Sequence, residues 1–576
     1  MSGFFALQIV CLLTATFLSS AVHKEALYSN HTCNGCKGTC HMELQRCDCP
    51  RGHSGPECSR PKDLASICKK YTFHTNLNCT LGAPLNQCLN GCSRRGICLS
   101  GWCHCSSGFF GADCSASLND EGKSVLLSGS GYKTRSRKPL IYIYELPPSF
   151  NTWYNIRAQD RPLWFLFYQR LLSSGVRTAD GNVADYYFIP LNIRGPSESM
   201  SMVKAVKYIQ STWPWWNKHL GSRHLIIHTG DVGRMDAAEP ARALTINSTW
   251  ITHWGLYEDY SFSGWKKSHR PGLDIVVPIL ISSASPRANA FKYSPLHPLH
   301  PDRKNSLDKP NKDLEVLFAG RICGGREVPN STRWPNCKPI NVGYSQGVRQ
   351  LMHFHHWNRT GFKISVANPD YLRDLAHTRF CLAPTGGGHG HRQILVAFSG
   401  CVPLLIGDYI YQPFEPELDW SQFSVTVPKS EIPRLHEILG GIDNQQYNKL
   451  QSALRCGAEH MTYSSFIGSF KWDWGKYDAF ETIMEILRVR LKHPGADPKD
   501  LASLDPEFKS FMECRDPDEA EQKEPMELPT GLCSMSVLDS DPPSCLACVT
   551  RHNGIIPGGA ACCDSESIAS CPRAWD

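Results

Sequence analysis

The distribution of cysteine constrains this chain more than any other feature of its sequence. Of its 27 cysteines, fifteen precede residue 115, none lies between residues 115 and 322, five lie between 323 and 456, and seven follow 513. Thiols at this density are rare in reducing compartments, so we expect an oxidising one, the secretory pathway. Two Cys-rich ends therefore flank a long segment that must fold mainly by hydrophobic burial.

The length and composition of the chain bound its class. A chain of 576 residues exceeds one compact core, and we expect about two to four domains. Hydrophobic residues make up 41% and charged residues 20%, which excludes a mostly disordered chain. The net charge of +6 is spread thinly, without the basic stripe of a nucleic-acid binder, so no nucleic-acid partner is expected.

The first 22 residues have the composition of a secretory leader. Residues 4–22 are apolar or small, and Ser19-Ser20-Ala21 suits a signal-peptidase cut after Ala21. The alternative is an uncleaved membrane anchor, because this stretch is just long enough to span a bilayer. Five N-x-S/T sequons fit exposure in the lumen, at Asn30, Asn78, Asn247, Asn330 and Asn358.

Two short segments repeat a six-cysteine spacing, and each is too small to bury a core without crosslinks. The first reads C-x2-C-x3-C-x6-C-x-C-x8-C over residues 33–58, and the second reads C-x3-C-x5-C-x4-C-x-C-x8-C over residues 88–114. Both resemble the EGF-like module, whose 1–3, 2–4, 5–6 pairing implies these bridges: Cys33–Cys40, Cys36–Cys47, Cys49–Cys58, Cys88–Cys98, Cys92–Cys103 and Cys105–Cys114. Zinc is the alternative for Cys33 and Cys36. Cys68 and Cys79, between the modules, are expected to pair with each other.

The segment after residue 137 alternates between strand-like and helix-like patterns. Residues 115–137 are rich in Ser and Gly and are predicted to be a linker. Ten short apolar or β-branched runs then predict parallel strands that are covered on both faces, namely 140–144, 184–190, 224–228, 248–253, 274–280, 314–319, 363–367, 380–383, 402–406 and 423–427. Helical patterns occupy 162–173, 200–213, 345–356, 391–399 and 478–492. We therefore predict an α/β fold with two Rossmann-like halves, residues 138–310 and 311–493, and a Cys-rich tail over 494–576.

A glycine-rich loop follows one of the predicted strands. Residues 380–393 read FCLAPTGGGHGHRQ, which predicts a strand, a loop with Gly386, Gly387 and Gly388, and a helix start. Ligands of open α/β sheets bind beyond the carboxyl ends of strands, and glycines let the backbone approach an anion closely. Arg392, in the first helical turn, is expected to contact a pyrophosphate. The alternative is a structural Arg that bridges the helix to the core. The loop is neither G-x-G-x-x-G nor a P-loop, so NAD and ATP are not indicated.

An ordered set of motifs resembles the exostosin family of glycosyltransferases over about residues 138–490. The motifs are IYIYELPP at 141–148, ADYYFIP at 184–190, DIVVP at 274–278, LFAG at 317–320, FCLAP at 380–384, Arg392, GCVPLLIGD at 400–408, QPF at 412–414, LDWSQFSV at 418–425 and EIP at 431–433. The resemblance implies a Golgi transferase of the GT-B fold that moves a sugar from a nucleotide diphosphate donor, with inversion and without a bound catalytic metal. The acceptor would be a glycoprotein or a matrix polysaccharide, since EGF-like segments resemble those of plant and green-algal members.

One position departs from the family pattern. Family members commonly carry Asp or Glu six residues before the Cys of the GCVP segment, where it holds the nucleotide-sugar, and this chain has Leu395. The departure leaves three interpretations: an altered donor, a substitute such as His389 or His391, or a catalytically inactive binding protein that keeps the fold. His391 is therefore a candidate donor-binding residue together with Arg321, after the LFAG strand, and Asp408.

The acceptor side must supply a base that takes the proton of the attacking hydroxyl. Asp231 lies before a glycine in a loop after an apolar strand, a placement that the family often fills with Asp. The alternative for Asp231 is a turn-forming side chain, and His253 is the second candidate base. No Asp-x-Asp motif follows a predicted strand, so no bound metal is expected, and the resemblance implies no other cofactor. Twelve cysteines lie in the transferase region and the tail together, so at least one bridge is expected to join the two.

Overall fold

The structure is a computed structural model, and it divides the chain into two compact units, Met1–Ser106 and Ser107–Asp576. It describes residues 39–41, 46–48, 53–54, 60–61, 89–99, 102–126, 137–147, 150, 163–260, 265–280, 312–337, 344–386, 388, 390, 392–463 and 477–515. The leader predicted over residues 1–22 lies outside this part. Among the described residues, no helix has the length and apolar character that a membrane crossing requires.

The first unit contains short antiparallel strand pairs. Thr39–His41 pairs with Arg46–Asp48, His53–Ser54 with Arg60–Pro61, and Gly96–Leu99 with Trp102–Cys105. A disulfide joins Cys92 to Cys103, which is one of the pairs that the EGF-like resemblance implies. Cys105 and Cys114 are each disulfide-bonded as well. The side chains of the other cysteines in the two modules, and Cys68 and Cys79, lie outside the described residues.

The second unit begins with a small antiparallel sheet, where a linker was predicted. Its strands are Phe109–Phe110, Ala116–Leu118 and Ser124–Leu126. The last two form a hairpin, because the side chain of Asn119 accepts hydrogen bonds from the backbone N–H of Glu121 and of Lys123 and Gly122 supplies a left-handed φ of 73°. The first part of the predicted linker therefore contains two paired strands and a tight turn, whereas residues 127–136 lie outside the described residues.

A six-stranded parallel sheet organises the first half of the transferase region. Its strands are β1 (Ile141–Ile143), β2 (Arg177–Thr178), β3 (Tyr186–Phe188), β4 (His224–His228), β5 (Thr249–Thr252) and β6 (Ile275–Val276), in the order β2-β1-β3-β4-β5-β6. Its helices are α1 (Leu163–Ser173), α2 (Pro196–Thr212), α3 (Trp215–His219) and α4 (Glu239–Leu244). The apolar run of β4 is buried along its whole length, as expected for a strand that is covered on both faces.

A five-stranded parallel sheet organises the second half. Its strands are β7 (Leu314–Ala319), β8 (Phe362–Ser365), β9 (Thr378–Leu382), β10 (Val402–Ile406) and β11 (Val425–Val427), in the order β8-β7-β9-β10-β11. The helices are α5 (Val348–His356), α6 (Tyr371–Ala376), α7 (Arg392–Phe398), α8 (Leu435–Gly440) and α9 (Asn444–His460). Two sheets of doubly wound topology confirm the predicted fold class, and each of the ten predicted strand runs overlaps one of these strands.

The last helices cross back to the first half. In α10 (Ala479–Lys492), the ring of Phe480 lies 5.4 Å from that of Phe167, and the Tyr186 hydroxyl donates to the carbonyl of Leu487 at 3.2 Å. Two short helices follow, α11 (Leu501–Leu504) and α12 (Pro506–Met512). Arg488 of α10 pairs with Asp505, the residue before α12, at 3.2 Å, so helices on either side of the predicted boundary at residue 493 are in contact.

One bridge joins this segment to the second half. Cys456, in α9, forms a disulfide with Cys514, just after α12. The structure thus confirms the expected link between the transferase region and the tail. The tail beyond residue 515 lies outside the described residues.

Candidate functional site

The strand order of each sheet reverses at one place, which marks a crevice at the carboxyl ends of the strands. In the first sheet the reversal lies between β1 and β3, and in the second sheet it lies between β7 and β9. The glycine-rich loop follows β9, and Gly320 and Arg321 follow β7. The predicted loop therefore lies at the switch point of the second sheet, where ligands of such folds bind.

The glycine loop is folded on itself and tied to the segment just before α5. The N–H of Gly386 donates to the carbonyl of Gly388 at 2.8 Å, and the N–H of Ser345 donates to the carbonyl of Gly386 at 2.8 Å. Gly387, His389 and His391, which were predicted to contribute to the donor site, lie outside the described residues. The loop thus presents Thr385, Gly386 and Gly388 beside the N-terminal end of α5.

Arg349, near the start of α5, lies under this loop and is only 7% exposed. Its guanidinium donates to the carbonyls of Arg321 at 2.9 Å and of Thr385 at 2.6 Å, and to the Tyr344 hydroxyl at 2.9 Å. Burial lowers the pKa of Arg349 to about 10, and the nearby charge of Arg392 also lowers it. The side chain still carries its positive charge at neutral pH, and it holds both sides of the switch-point crevice.

Arg392 is the first residue of α7 and bridges that helix to β7. Its guanidinium donates to the carbonyl of Ala319 and to the Tyr371 hydroxyl, the latter at 2.8 Å. It also stacks over the ring of Phe318, with 4.4 Å to the centroid, and Arg349 lies 5.3 Å from the same ring. Gly320 leaves the space that Arg392 needs to reach Ala319. Arg392 therefore has a structural role in addition to any contact with an anion.

The two guanidiniums form a concentrated positive charge. Within the part of the chain that the structure describes, neither Arg349 nor Arg392 forms an ion pair with a carboxylate. Arg379, in the same sheet, differs because it pairs with Glu315 at 3.0 Å. A dianionic group in the crevice would balance the charge of Arg349 and Arg392 through charge-assisted hydrogen bonds.

Buried polar atoms without partners cluster at the same loop. Among the described residues, Arg349 Nε, Thr385 Oγ1 and Gln393 Oε1 are each buried without a hydrogen-bond partner. Gln393 Nε2 reaches the carbonyl of Ala383 at 3.4 Å, so all three atoms belong to the surroundings of this one loop. Because an unpaired buried polar atom is costly, a cluster of three indicates a place where a polar ligand or water completes the bonding.

Asp408, predicted to bind the donor, follows β10 and is fixed by its backbone. The Gln346 amide accepts from the N–H of Asp408 at 3.2 Å and donates to its carbonyl at 3.0 Å. Oδ1 of Asp408 accepts from the N–H of Lys429 at 3.3 Å. Arg321 is exposed and meets Arg349 through its backbone carbonyl. The side chains of Asp408 and Arg321 thus lie at the edge of the crevice and not in its buried part.

The two candidate bases lie in different surroundings. Asp231 is exposed in the loop after β4, and its backbone carbonyl packs so closely on Gly388 that no side chain fits there. This contact brings a loop of the first half against the glycine loop of the second half. His253 is 0% exposed, and its Nδ1–H donates to the carbonyl of Val277 at 3.1 Å. Asp231 therefore faces the space between the halves, whereas His253 is enclosed in the first half.

A histidine at the start of the loop that carries Asp231 is neutral. Burial lowers the pKa of His228, the last residue of β4, to about 3. Its Nδ1 accepts a hydrogen bond from the N–H of Gly230 at 3.2 Å, so the ring proton is on Nε2. His228 therefore shapes the turn that carries Asp231.

The remaining predicted positions are peripheral. Leu395 is 3% exposed within α7, where it packs as a core residue. Asn247, Asn330 and Asn358 are exposed, whereas Asn30 and Asn78 lie outside the described residues. In the described part, Cys456, His460 and Cys514 bring potential metal ligands together, but both sulfurs belong to the disulfide.

The comparison with known families identifies the transferase region. Residues 135–442 match the exostosin GT47 domain. The chain belongs to the exostosin GT47 family. It is therefore a glycosyltransferase, as the ordered motifs predicted.

Its relatives include plant proteins that are named as probable glucuronosyltransferases. A probable glucuronosyltransferase of Oryza sativa subsp. japonica is 27% identical over 380 residues, which are 62% of this chain and 81% of that protein. A probable glucuronoxylan glucuronosyltransferase of Arabidopsis thaliana is 26% identical, over 57% of this chain and 70% of its own length. The solved structure of Anabaena HepE in complex with UDP has a TM-score of 0.24 at 11% identity and covers 58% of this chain and 97% of that one.

Sequence reasoning located the loop of this glycosyltransferase but missed several residues around it. Arg349, Tyr344 and Thr385 were not singled out. The signal for Arg349 was a basic residue at the start of a helix that follows the switch-point strand β7. The sequence pattern does not show that the start of α5 lies next to the loop after β9. This proximity places Arg349 beside Thr385.

Proposed function

We propose that this GT47 enzyme transfers a sugar from a UDP-sugar to a hydroxyl of a plant-type glycan or glycoprotein in the Golgi lumen, with inversion. The proposal rests on one observation above the others. Two guanidiniums, Arg349 and Arg392, meet at the switch point of the second sheet without a carboxylate partner among the described residues. A diphosphate is the ligand that matches this charge and this position.

The glycan class comes from the relatives. Two of them are named as probable glucuronosyltransferases, and another is named a probable beta-1,4-xylosyltransferase. We therefore propose UDP-glucuronate or a UDP-pentose as the donor class and a xylan-type polysaccharide as one acceptor class.

The reaction assigns a role to each side of the cleft. The bond between the anomeric carbon and the β-phosphate oxygen breaks, and its electron pair leaves with UDP. The acceptor oxygen bonds to the opposite face of the anomeric carbon, and its proton passes to a base. Arg349 and Arg392 would stabilise the charge that UDP gains, in place of a metal ion. Asp231 is the proposed base because it is exposed opposite the glycine loop.

A second candidate function follows from Leu395. An apolar side chain stands where family members commonly hold the nucleotide-sugar with a carboxylate, and it is buried in α7. The alternative is thus a catalytically inactive binding protein that keeps the fold. A hydrolysis screen over nucleotide sugars separates the two, since an active enzyme releases UDP slowly without an acceptor.

The donor site is tested by calorimetric titration of the full chain with UDP. Arg349→Met is expected to lower UDP affinity about ten- to hundredfold, because charge-assisted hydrogen bonds contribute roughly 1.5–3 kcal/mol. Arg379→Met is the matched control, since it removes a guanidinium of the same sheet that is already paired with Glu315. UDP affinity within twofold of wild type in Arg349→Met would overturn the placement of the diphosphate.

A further inference from the structure

Three tyrosine rings cluster where the two halves of the transferase region meet. The ring of Tyr257 lies 6.1 Å from that of Tyr409, in an edge-to-face arrangement, and 4.5 Å from that of Tyr411. Tyr409 is 49% exposed, while Tyr257 and Tyr411 are half-buried. Burial raises the pKa of both Tyr257 and Tyr411, so these two side chains are neutral aromatic surfaces at physiological pH.

This cluster belongs to both sides of the cleft. Tyr257 comes from the loop after β5, and Tyr409 comes from the loop after β10, the strand next to β9. The N–H of Tyr257 donates to the carbonyl of Tyr409 at 3.0 Å, and the N–H of Tyr411 donates to the carbonyl of Gly255 at 3.0 Å. The exposed face of Tyr409 therefore lies at the carboxyl ends of both sheets.

A left-handed turn connects the cluster to the glycine loop. Ser345 and Gln346 have φ of 52° and 53°, and Gly347 follows with 75°. Ser345 donates to the carbonyl of Gly386, while the Gln346 amide holds the backbone of Asp408 from both sides. One turn thus fixes the distance between the proposed diphosphate site and the residue that precedes Tyr409.

Tyr409 itself has an unfavourable backbone. Its φ is 64°, in the region that glycine and asparagine adopt but bulky residues avoid. A half-exposed ring gains little from burial, so packing alone gives no reason to keep Tyr at this position. Strain of this kind is retained where function requires the side chain.

We propose that Tyr409 and Tyr257 form a stacking surface for a pyranose ring. This inference rests on the proposed function, because the diphosphate places the sugar. The apolar C–H face of a pyranose packs on the face of an aromatic ring, and its hydroxyls extend toward polar groups at the edge. The Asp408 carboxylate lies beside Tyr409 and supplies acceptor oxygens for them. The ring is either the sugar of the donor or the terminal sugar of the acceptor.

Two variants distinguish the contribution of the Tyr409 ring from the effect of its left-handed backbone. Tyr409→Phe keeps the aromatic face and removes only the hydroxyl. Tyr409→Asn removes the face, and asparagine tolerates the left-handed backbone, so the variant is expected to fold. Trp334→Asn is the matched control, because Trp334 is an exposed aromatic residue (46%) that packs on Phe354 in α5 and lies outside the tyrosine cluster.

The probes are UDP, a panel of UDP-hexoses, UDP-pentoses and UDP-glucuronate, and a β-1,4-xylan hexasaccharide, each titrated against the full chain. All variants are expected to bind UDP within twofold of wild type. Tyr409→Asn is expected to lose about tenfold in affinity for the preferred UDP-sugar if the ring is that of the donor, or for the hexasaccharide if it is that of the acceptor. Tyr409→Phe and Trp334→Asn are expected to match wild type for every probe.

Two results overturn the stacking surface. One is a folded Tyr409→Asn variant that binds every probe as wild type does. The other is a wild type that binds UDP but gains no affinity from any sugar. If the wild type does not bind UDP, the proposed function is overturned instead. If that protein still binds a sugar probe and Tyr409→Asn weakens this binding, the stacking surface is retained.

Discussion

The disulfide between Cys381 and Cys401 closes the segment that contains the whole proposed diphosphate loop. The two cysteines are 20 residues apart, and both are fully buried. Between them lie Thr385, the glycines, Arg392 and helix α7. Removing the bridge in a Cys381→Ala/Cys401→Ala variant therefore perturbs the stability of the second half and the order of the loop together.

The loss of stability follows from the length of the closed loop. For about 20 residues, the loop-closure model gives an entropy change of about 11 cal/mol/K in the unfolded chain, or about 3.3 kcal/mol at 25 °C. The free energy of unfolding is expected to fall by this amount in urea titrations followed by tryptophan fluorescence. UDP affinity is expected to fall about three- to tenfold, because a less ordered loop must be ordered on binding.

A second bridge provides the control. Cys456 and Cys514 are 58 residues apart and lie in and after the helices α9 and α12, away from the glycine loop. The same model gives about 4.2 kcal/mol for this bridge, so Cys456→Ala/Cys514→Ala is expected to lose more stability and yet bind UDP as wild type. A loss below about 1 kcal/mol for the Cys381 variant, or equal losses of UDP affinity in both variants, would refute this reasoning.

Three further outcomes are expected. Transfer should persist in EDTA, because the sequence has no Asp-x-Asp after a predicted strand, and complete loss that Mn²⁺ restores would contradict this. Arg392→Ala should lower both the melting temperature and the UDP affinity, since the Arg392 guanidinium also bonds Ala319 and Tyr371. Arg392→Lys should recover only part of the UDP affinity. Normal UDP binding by the Ala variant would refute the phosphate contact. Burial raises the pKa of Glu415 from 4.5 to about 7. The native state therefore keeps a proton that the unfolded state releases, and stability falls as pH rises through this window. Glu415→Gln should remove that part of the pH dependence of the urea midpoint, and an unchanged profile would contradict the shift.

The sequence predicted the strands well because their signal is local. The runs at 224–228, 314–319 and 402–406 coincide with β4, β7 and β10, since each is a short apolar segment buried on both faces. The sequence signal for the glycine loop was also local, because the loop directly follows β9. Asp231 was placed correctly after β4 for the same reason.

The parts that were missed depend on contacts between distant segments. Arg349 reaches Thr385 across 36 residues, and Gln346 reaches Asp408 across 62. Nothing in the local pattern around Ser345 and Gln346 indicates two successive left-handed residues, because such strain is imposed by the surrounding fold. The contact of α10 with the first half was missed for the same reason, since the amphipathic pattern of this helix shows that it packs but not against which part of the protein.

Helix α10 also has a consequence for the order of events during synthesis. Arg490 donates to the carbonyl of Leu273 at 3.0 Å and to Glu417 at 3.1 Å, so a single side chain holds both halves. At about 5–20 residues per second, roughly 10–40 s pass between translation of β6 and translation of α10. During this interval the second sheet is completed, while the surface of α1 that receives Phe480 stays uncovered. The half that is made first therefore cannot complete its packing until the last helices have been made.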